Sequence, residues 1–75
     1  MILLSGDIYR KIGLKISYYR KLKNLEQKEL AYNVGISAQY LSRIECGQKI
    51  PSIPVLVRIA EKLGIDIALL ISDKD

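Results

Sequence analysis

The 75-residue sequence contains no histidine and a single cysteine, Cys46. One cysteine cannot form a disulfide within the chain. Without histidine, the usual zinc sites and the Cys/His and Ser/His nucleophile pairs cannot be assembled. No glycine-rich phosphate loop is present either. We therefore expect a protein that is not an enzyme, holds no metal or other cofactor and binds no small-molecule ligand.

Long apolar runs are also missing. No stretch approaches the roughly 20 apolar residues that span a membrane. The first six residues, MILLSG, are too few and lack the basic start of a secretory signal. A cytoplasmic protein that does not contact membranes is expected. The 49% of hydrophobic residues is enough for one small core, so residues 1–75 are predicted to form a single domain without an effector domain.

The net charge of +4 is unevenly distributed. Residues 1–49 contain nine Lys or Arg and four Asp or Glu, whereas residues 50–75 contain three and four. A basic excess on one side of a molecule suits a polyanionic partner. An excess of this size is also common on an ordinary solvated surface, so charge alone does not distinguish the two.

Cap residues and apolar spacing predict an all-α chain of five short helices. No alternating apolar pattern of useful length predicts a strand. The residues expected to cap and to end the helices are, in chain order, Asp7 and Asn24, Glu26 and Gly35, Ser37 and Gly47, Ser52 and Gly64, and Asp66 and about Ile71.

The second and third predicted helices are joined by Gly35, Ile36 and Ser37. A tight turn of this kind is typical of a helix-turn-helix, in which the second helix can enter the major groove of DNA. At 100° per residue, Leu41 and Ile44 of the third helix point into the core. The opposite face carries Ala38, Gln39, Ser42, Arg43 and Cys46.

Two side chains on that face have the chemistry of base recognition. The Gln39 amide can pair with adenine and the Arg43 guanidinium with guanine, while Ala38 and Ser42 are small enough to let the backbone approach. Any solvent-facing helix also carries such residues, so this face alone leaves both interpretations open.

The sequence around these helices carries a more specific pattern. Its parts are QKELA at 27–31, GIS at 35–37, YLSRIE at 40–45, Gly47, Pro51 and Ser52, Leu56, Ile59 and Ala60, and Leu63 and Gly64. Together they resemble the phage-repressor/Cro family of helix-turn-helix domains, also called XRE-like, over about residues 12–70. The resemblance implies a compact five-helix, lambda-repressor-like fold that binds double-stranded operator DNA as a two-fold dimer, usually to control transcription.

The resemblance also implies roles for individual residues. Gln27 matches a glutamine that donates to a DNA phosphate and braces the recognition helix, and Gln39 and Arg43 match base-contacting positions. Arg20 and Glu45 match a partly buried structural ion pair. The full set of expected DNA-binding residues is Gln27, Ser37, Ala38, Gln39, Tyr40, Ser42, Arg43, Gln48 and Lys49.

The fifth predicted helix is almost entirely apolar, which exceeds what so short a helix can bury against its own core. The expected dimer interface is formed by Ile67, Leu69, Leu70 and Ile71, with further apolar residues at Ile2, Leu3 and Leu4. A two-fold dimer places its recognition helices one DNA turn apart, about 34 Å, and predicts a palindromic operator.

Two functions therefore remain open. The first is a dimeric transcriptional regulator, most simply a repressor, although activation is also compatible with the sequence. The second is a protein-interaction module of the same fold, such as an antitoxin or adaptor, that binds a protein partner through the fifth helix.

Overall fold

The computed structural model describes residues 4–72, so Ile2 and Leu3 of the predicted apolar surface lie outside the described part. Five helices and no strand occur within this range. They are α1 (Leu4–Leu22), α2 (Gln27–Val34), α3 (Ala38–Glu45), α4 (Ile53–Leu63) and α5 (Ala68–Ile71). The predicted all-α, five-helix architecture is confirmed. No helix within residues 4–72 is both long and apolar enough to cross a membrane.

Most predicted helix ends are also confirmed. Ser37 caps α3 by accepting a hydrogen bond from the Tyr40 N–H at 3.0 Å, and Ser52 caps α4 in the same way from the Val55 N–H at 3.3 Å. These bonds satisfy backbone donors that a helix start leaves without partners. Asn24 ends the first helical segment in the left-handed conformation, with φ of 58°.

Two predicted helix starts are wrong by different amounts. α1 begins at Leu4, so Asp7 lies within the helix and is not its N-cap. Acidic residues are favoured in a first helical turn as well as at the cap, so residue type alone does not separate these positions. α5 begins at Ala68 instead of Ile67, but the Asp66 carboxylate accepts from the Ala68 N–H at 2.9 Å, as expected of a capping residue.

All five helices contribute to one hydrophobic core. Its fully buried large side chains are Ile16, Leu30, Leu41, Ile44, Ile59, Leu63 and Leu70. Leu70 was expected in the dimer interface, and this prediction is wrong. The Leu70 side chain has no exposed surface, because it packs inside the core of its own chain. On α5, the large apolar side chains that remain exposed to a partner are Leu69 and Ile71.

Candidate nucleic-acid interface

The turn between α2 and α3 positions the whole site. Gly35 has φ of +87°, a conformation that side chains disfavour, and its N–H donates to the Ala31 carbonyl at 2.9 Å. The Ile36 N–H also donates to the Ala31 carbonyl, at 3.0 Å. The chain thus leaves α2 sharply and enters α3 through the Ser37 cap within three residues. This geometry is the helix-turn-helix that the sequence predicted.

The two faces of α3 divide as predicted. Leu41 and Ile44 have no exposed surface and anchor the helix in the core. Ala38, Gln39 and Arg43 are exposed, as is Cys46 just beyond the helix end. The anchored inner face fixes the helix orientation, so the outer side chains are presented to solvent on a rigid support.

The structure brings five of the predicted DNA-binding residues together around one shallow, open depression. The residues that line it are Ser37, Gln39, Tyr40, Arg43 and Lys49. Two of them carry positive charge, none carries negative charge, and Gln39 adds an amide donor and acceptor. Such a surface favours an anionic ligand that offers hydrogen-bonding groups.

The other predicted DNA-binding residues lie outside this depression. Ala38 and Gln48 are exposed, while Ser42 and Gln27 are half-buried. Tyr40 both lines the depression and packs against the hydrophobic core.

A buried polar network connects α1, α2 and α3 behind this surface. The Arg20 side chain donates from Nε to Glu45 Oε2 at 2.8 Å and from Nη2 to Glu45 Oε1 at 3.0 Å. Its Nη1 donates to the Leu25 carbonyl at 2.8 Å, and the Gln27 Nε2 donates to Glu45 Oε1 at 2.9 Å. The predicted ion pair and the predicted bracing contact of Gln27 are both present. Glu45, at the end of α3, is therefore held from two other helices.

Sequence reasoning missed the contact that sets the distance between α1 and α3. A Cβ atom at Gly13 would lie 2.3 Å from the Ile44 carbonyl oxygen and 2.7 Å from the Glu45 carbonyl oxygen, which no real side chain permits. Only glycine fits between these backbones. The available signal was a glycine inside an otherwise helical pattern, which costs about 1 kcal/mol relative to alanine and so indicates a packing reason.

Arg58 of α4 is a second residue that the sequence did not identify. Its Nε donates to the Val34 carbonyl at 3.0 Å, at the C-terminal end of α2. A cation near a helix C-terminus also interacts favourably with the helix dipole. Arg58 therefore supports the end of α2 that leads directly into the turn.

Among the side chains described, those of residues 8–72, no group of three His, Cys, Asp or Glu residues could hold a metal ion. The side chains around the depression on α3 offer hydrogen-bonding groups and positive charge.

The amino-acid sequence also matches the model of a known helix-turn-helix family. The HTH_3 helix-turn-helix family model matches residues 16–70, which cover α2 to α4, the C-terminal part of α1 and most of α5. The chain belongs to the HTH_3 family. Relatives of the chain include HTH-type transcriptional regulators, and the XRE-like resemblance described from the sequence is confirmed.

Individual relatives of this HTH_3 protein include regulators from phage and bacteria. It is 43% identical over 61 residues to the ImmF control region 10 kDa protein of Bacillus phage phi105, covering 81% of this chain and 68% of the relative. The solved structure of the restriction-modification controller protein C.AhdI from Aeromonas hydrophila superposes with a TM-score of 0.80 at 29% identity. That match covers 87% of this chain and 97% of the controller.

A third match is a structure that contains nucleic acid. The biofilm master regulator SinR, solved in complex with DNA, is 37% identical with a TM-score of 0.75, covering 79% of this chain and 95% of the SinR chain. The shared fold is therefore one that supports DNA binding in a relative.

Proposed function

We propose that this HTH_3 protein is a sequence-specific, double-stranded DNA-binding transcriptional regulator that acts as a homodimer on a palindromic operator, most simply as a repressor. The observation that carries the proposal is the outer face of α3, where Gln39 and Arg43 are exposed one helical turn apart above the buried Leu41 and Ile44. The DNA complex of SinR supports this use of the fold. This function requires access to DNA in the cytoplasm and involves no catalysis.

In this proposal, the residues of the interface have separate tasks. Gln39 and Arg43 read base edges in the major groove, since amide and guanidinium groups match adenine and guanine. Lys49 contributes a phosphate contact, which strengthens binding to any sequence and sets the register. Ser37, Tyr40, Ser42, Ala38 and Gln48 complete the contact surface, and Gln27 adds a phosphate contact while it braces Glu45.

The dimer is proposed from the exposed part of α5. Leu69 is 45% exposed and Ile71 is 49% exposed, whereas Ile67 is half-buried against the core. Exposed apolar side chains are stabilised when a partner removes them from water. A second copy related by a two-fold axis pairs the same residues with each other and presents two recognition helices to one face of DNA.

The exposed residues of α5 also favour a second candidate function. The same Leu69 and Ile71 surface can bind a different protein, as in an antitoxin or adaptor that retains the fold. That function does not use the cations and amide around the α3 depression. Gln39, Arg43 and Lys49 therefore support the DNA-binding function over the adaptor function.

Salt dependence of binding separates the two functions. Fluorescence anisotropy of a labelled genomic duplex mixture, measured with the purified protein from 0.05 to 0.3 M KCl, is expected to show affinity falling with a log–log slope of about −0.9 for each neutralised phosphate. An apolar protein interface responds weakly to salt. Absence of binding to duplex DNA at the lowest salt concentration contradicts the proposed function and favours the adaptor.

A further inference from the structure

Two arginines of α1 lie on the helix face that packs against the end of α3. Arg10 is three residues before Gly13 and Arg20 is seven residues after it, spacings that place all three on one side of an α-helix. This side of α1 faces the end of α3, because the Gly13 backbone lies against the Ile44 and Glu45 carbonyl groups. Both arginines therefore project near the C-terminal end of the recognition helix.

The position of Arg10 is fixed by a close backbone contact. A Cβ atom at Gly47 would lie 3.1 Å from the Arg10 Cα and 3.4 Å from the Arg10 Cβ. Gly47 is the second residue after α3, and the exposed Gln48 and Lys49 follow it. The Arg10 side chain thus leaves α1 beside the point where the chain leaves the recognition helix.

The two arginines differ in how their charges are satisfied. Arg20 is buried and its guanidinium is used in the bidentate pair with Glu45. Arg10 is exposed, and among the side chains that the structure describes, those of residues 8–72, no carboxylate forms an ion pair with it. A guanidinium in this position is available for an anion outside the chain, and its planar fork suits a phosphate group.

We propose that Arg10 binds a backbone phosphate of DNA beside the C-terminal end of α3. This inference rests on the proposed function, because it requires α3 to lie in the major groove. Lys49 lines the depression shared with Ser37 and Tyr40, close to the start of α3. Arg10 and Gln27 flank the other end. The recognition helix therefore has phosphate-binding groups at both ends, which fixes its tilt in the groove.

The competing role for Arg10 is structural. A cation near the C-terminus of α3 stabilises that helix through its dipole, with no DNA involved. The two roles differ in their readouts, since a dipole contact changes the stability of the free protein and a phosphate contact changes the salt dependence of DNA binding.

The test compares the wild-type protein with Arg10→Gln, Arg10→Lys and the control Lys62→Gln. Lys62 is an exposed cation in the last turn of α4, so its replacement changes the net charge equally. Anisotropy titrations use a duplex bound by the wild-type protein and its scrambled version from 0.05 to 0.3 M KCl. Thermal unfolding of each free protein is measured in parallel.

Arg10→Gln is expected to make the log–log salt slope shallower by about 0.9 and to weaken binding to both duplexes about fivefold at 0.15 M salt. Arg10→Lys should restore most of the slope, and Lys62→Gln should leave it unchanged. An unchanged salt slope for Arg10→Gln overturns the inference while the proposed function stands. If the unfolding temperature falls as well, the role of Arg10 is the structural one. Failure to find any duplex that the folded wild-type protein binds contradicts the proposed function itself.

Discussion

Arg20 and Glu45 form a buried, bidentate ion pair that ties α1 to the last residue of the recognition helix. The two hydrogen bonds measure 2.8 and 3.0 Å, and the side chains are 9% and 5% exposed. A buried carboxylate needs such partners, because desolvation without compensation is costly. The Gln27 amide adds a third contact from α2. The pair therefore connects the stability of the domain to the placement of the surface proposed to bind DNA.

Replacing one partner of this pair should strongly destabilise the fold. Arg20→Met leaves Glu45 buried without its guanidinium, and we expect a loss of about 3–5 kcal/mol in the free energy of unfolding, measured by urea denaturation. The double variant Arg20→Met/Glu45→Leu removes both charges and should recover much of that loss. A single variant as stable as the wild-type protein would show that the pair does not hold α3.

The close approach at Gly13 makes a separate prediction. Gly13→Ala inserts a Cβ against two carbonyl oxygens and should cost at least about 1–3 kcal/mol of stability, although alanine is the better helix former. Gly35→Ala is the matched comparison, because nothing lies within 4 Å of its added Cβ and only the positive φ is unfavourable, at about 1–2 kcal/mol. Urea denaturation of both variants should show that Gly13→Ala is destabilising. Stabilisation by Gly13→Ala would contradict the described packing of α1 on α3.

The proposed reading and anchoring residues should respond differently to truncation. Arg43→Ala is expected to lose about 1–3 kcal/mol of binding free energy on the preferred duplex and to relax the preference at one base position per half-site. Lys49→Ala should weaken binding to preferred and scrambled duplexes alike and make the salt slope shallower by about one. Equal losses on both duplexes for Arg43→Ala would remove its proposed reading role.

The proposed dimer depends on the exposed apolar residues of α5. Leu69→Lys/Ile71→Lys introduces like charges across a two-fold axis, and sedimentation velocity should show a shift from dimer to monomer. The control is Tyr32→Lys on α2, which is 85% exposed and lies outside the proposed interface. If the α5 variant sediments as the wild-type dimer does, the interface lies elsewhere on the molecule.

The boundaries that the sequence predicted well are those with a specific local mechanism. Ser37 and Ser52 cap their helices through backbone donors, and Gly35 ends α2 through a positive φ, so these signals need no knowledge of the fold. Asp7 was misplaced because an acidic residue suits both a cap and a first turn. A residue type therefore predicts a helix end reliably only where it is favoured at the cap and not also within the first turn.

Other features of the site depend on contacts between distant parts of the chain. Leu70 was assigned to a partner surface because a four-residue helix is too short for its apolar pattern to show which residue points inward. The role of Gly13 depends on a contact with α3 about thirty residues later, which no pattern within α1 reveals. The exposed face of α3 could be predicted from the sequence, because the eight residues of this helix make two turns with a buried side and an exposed side.

The central claim, that α3 reads DNA sequence in a dimer, is tested most directly by selecting bound duplexes from a randomised DNA library at about 0.15 M salt and sequencing them. Salt at this concentration suppresses binding that is purely electrostatic. A two-fold dimer that reads DNA through α3 is expected to enrich a palindrome with half-site centres about ten base pairs apart. No enriched motif, obtained with protein shown to be folded, would contradict it.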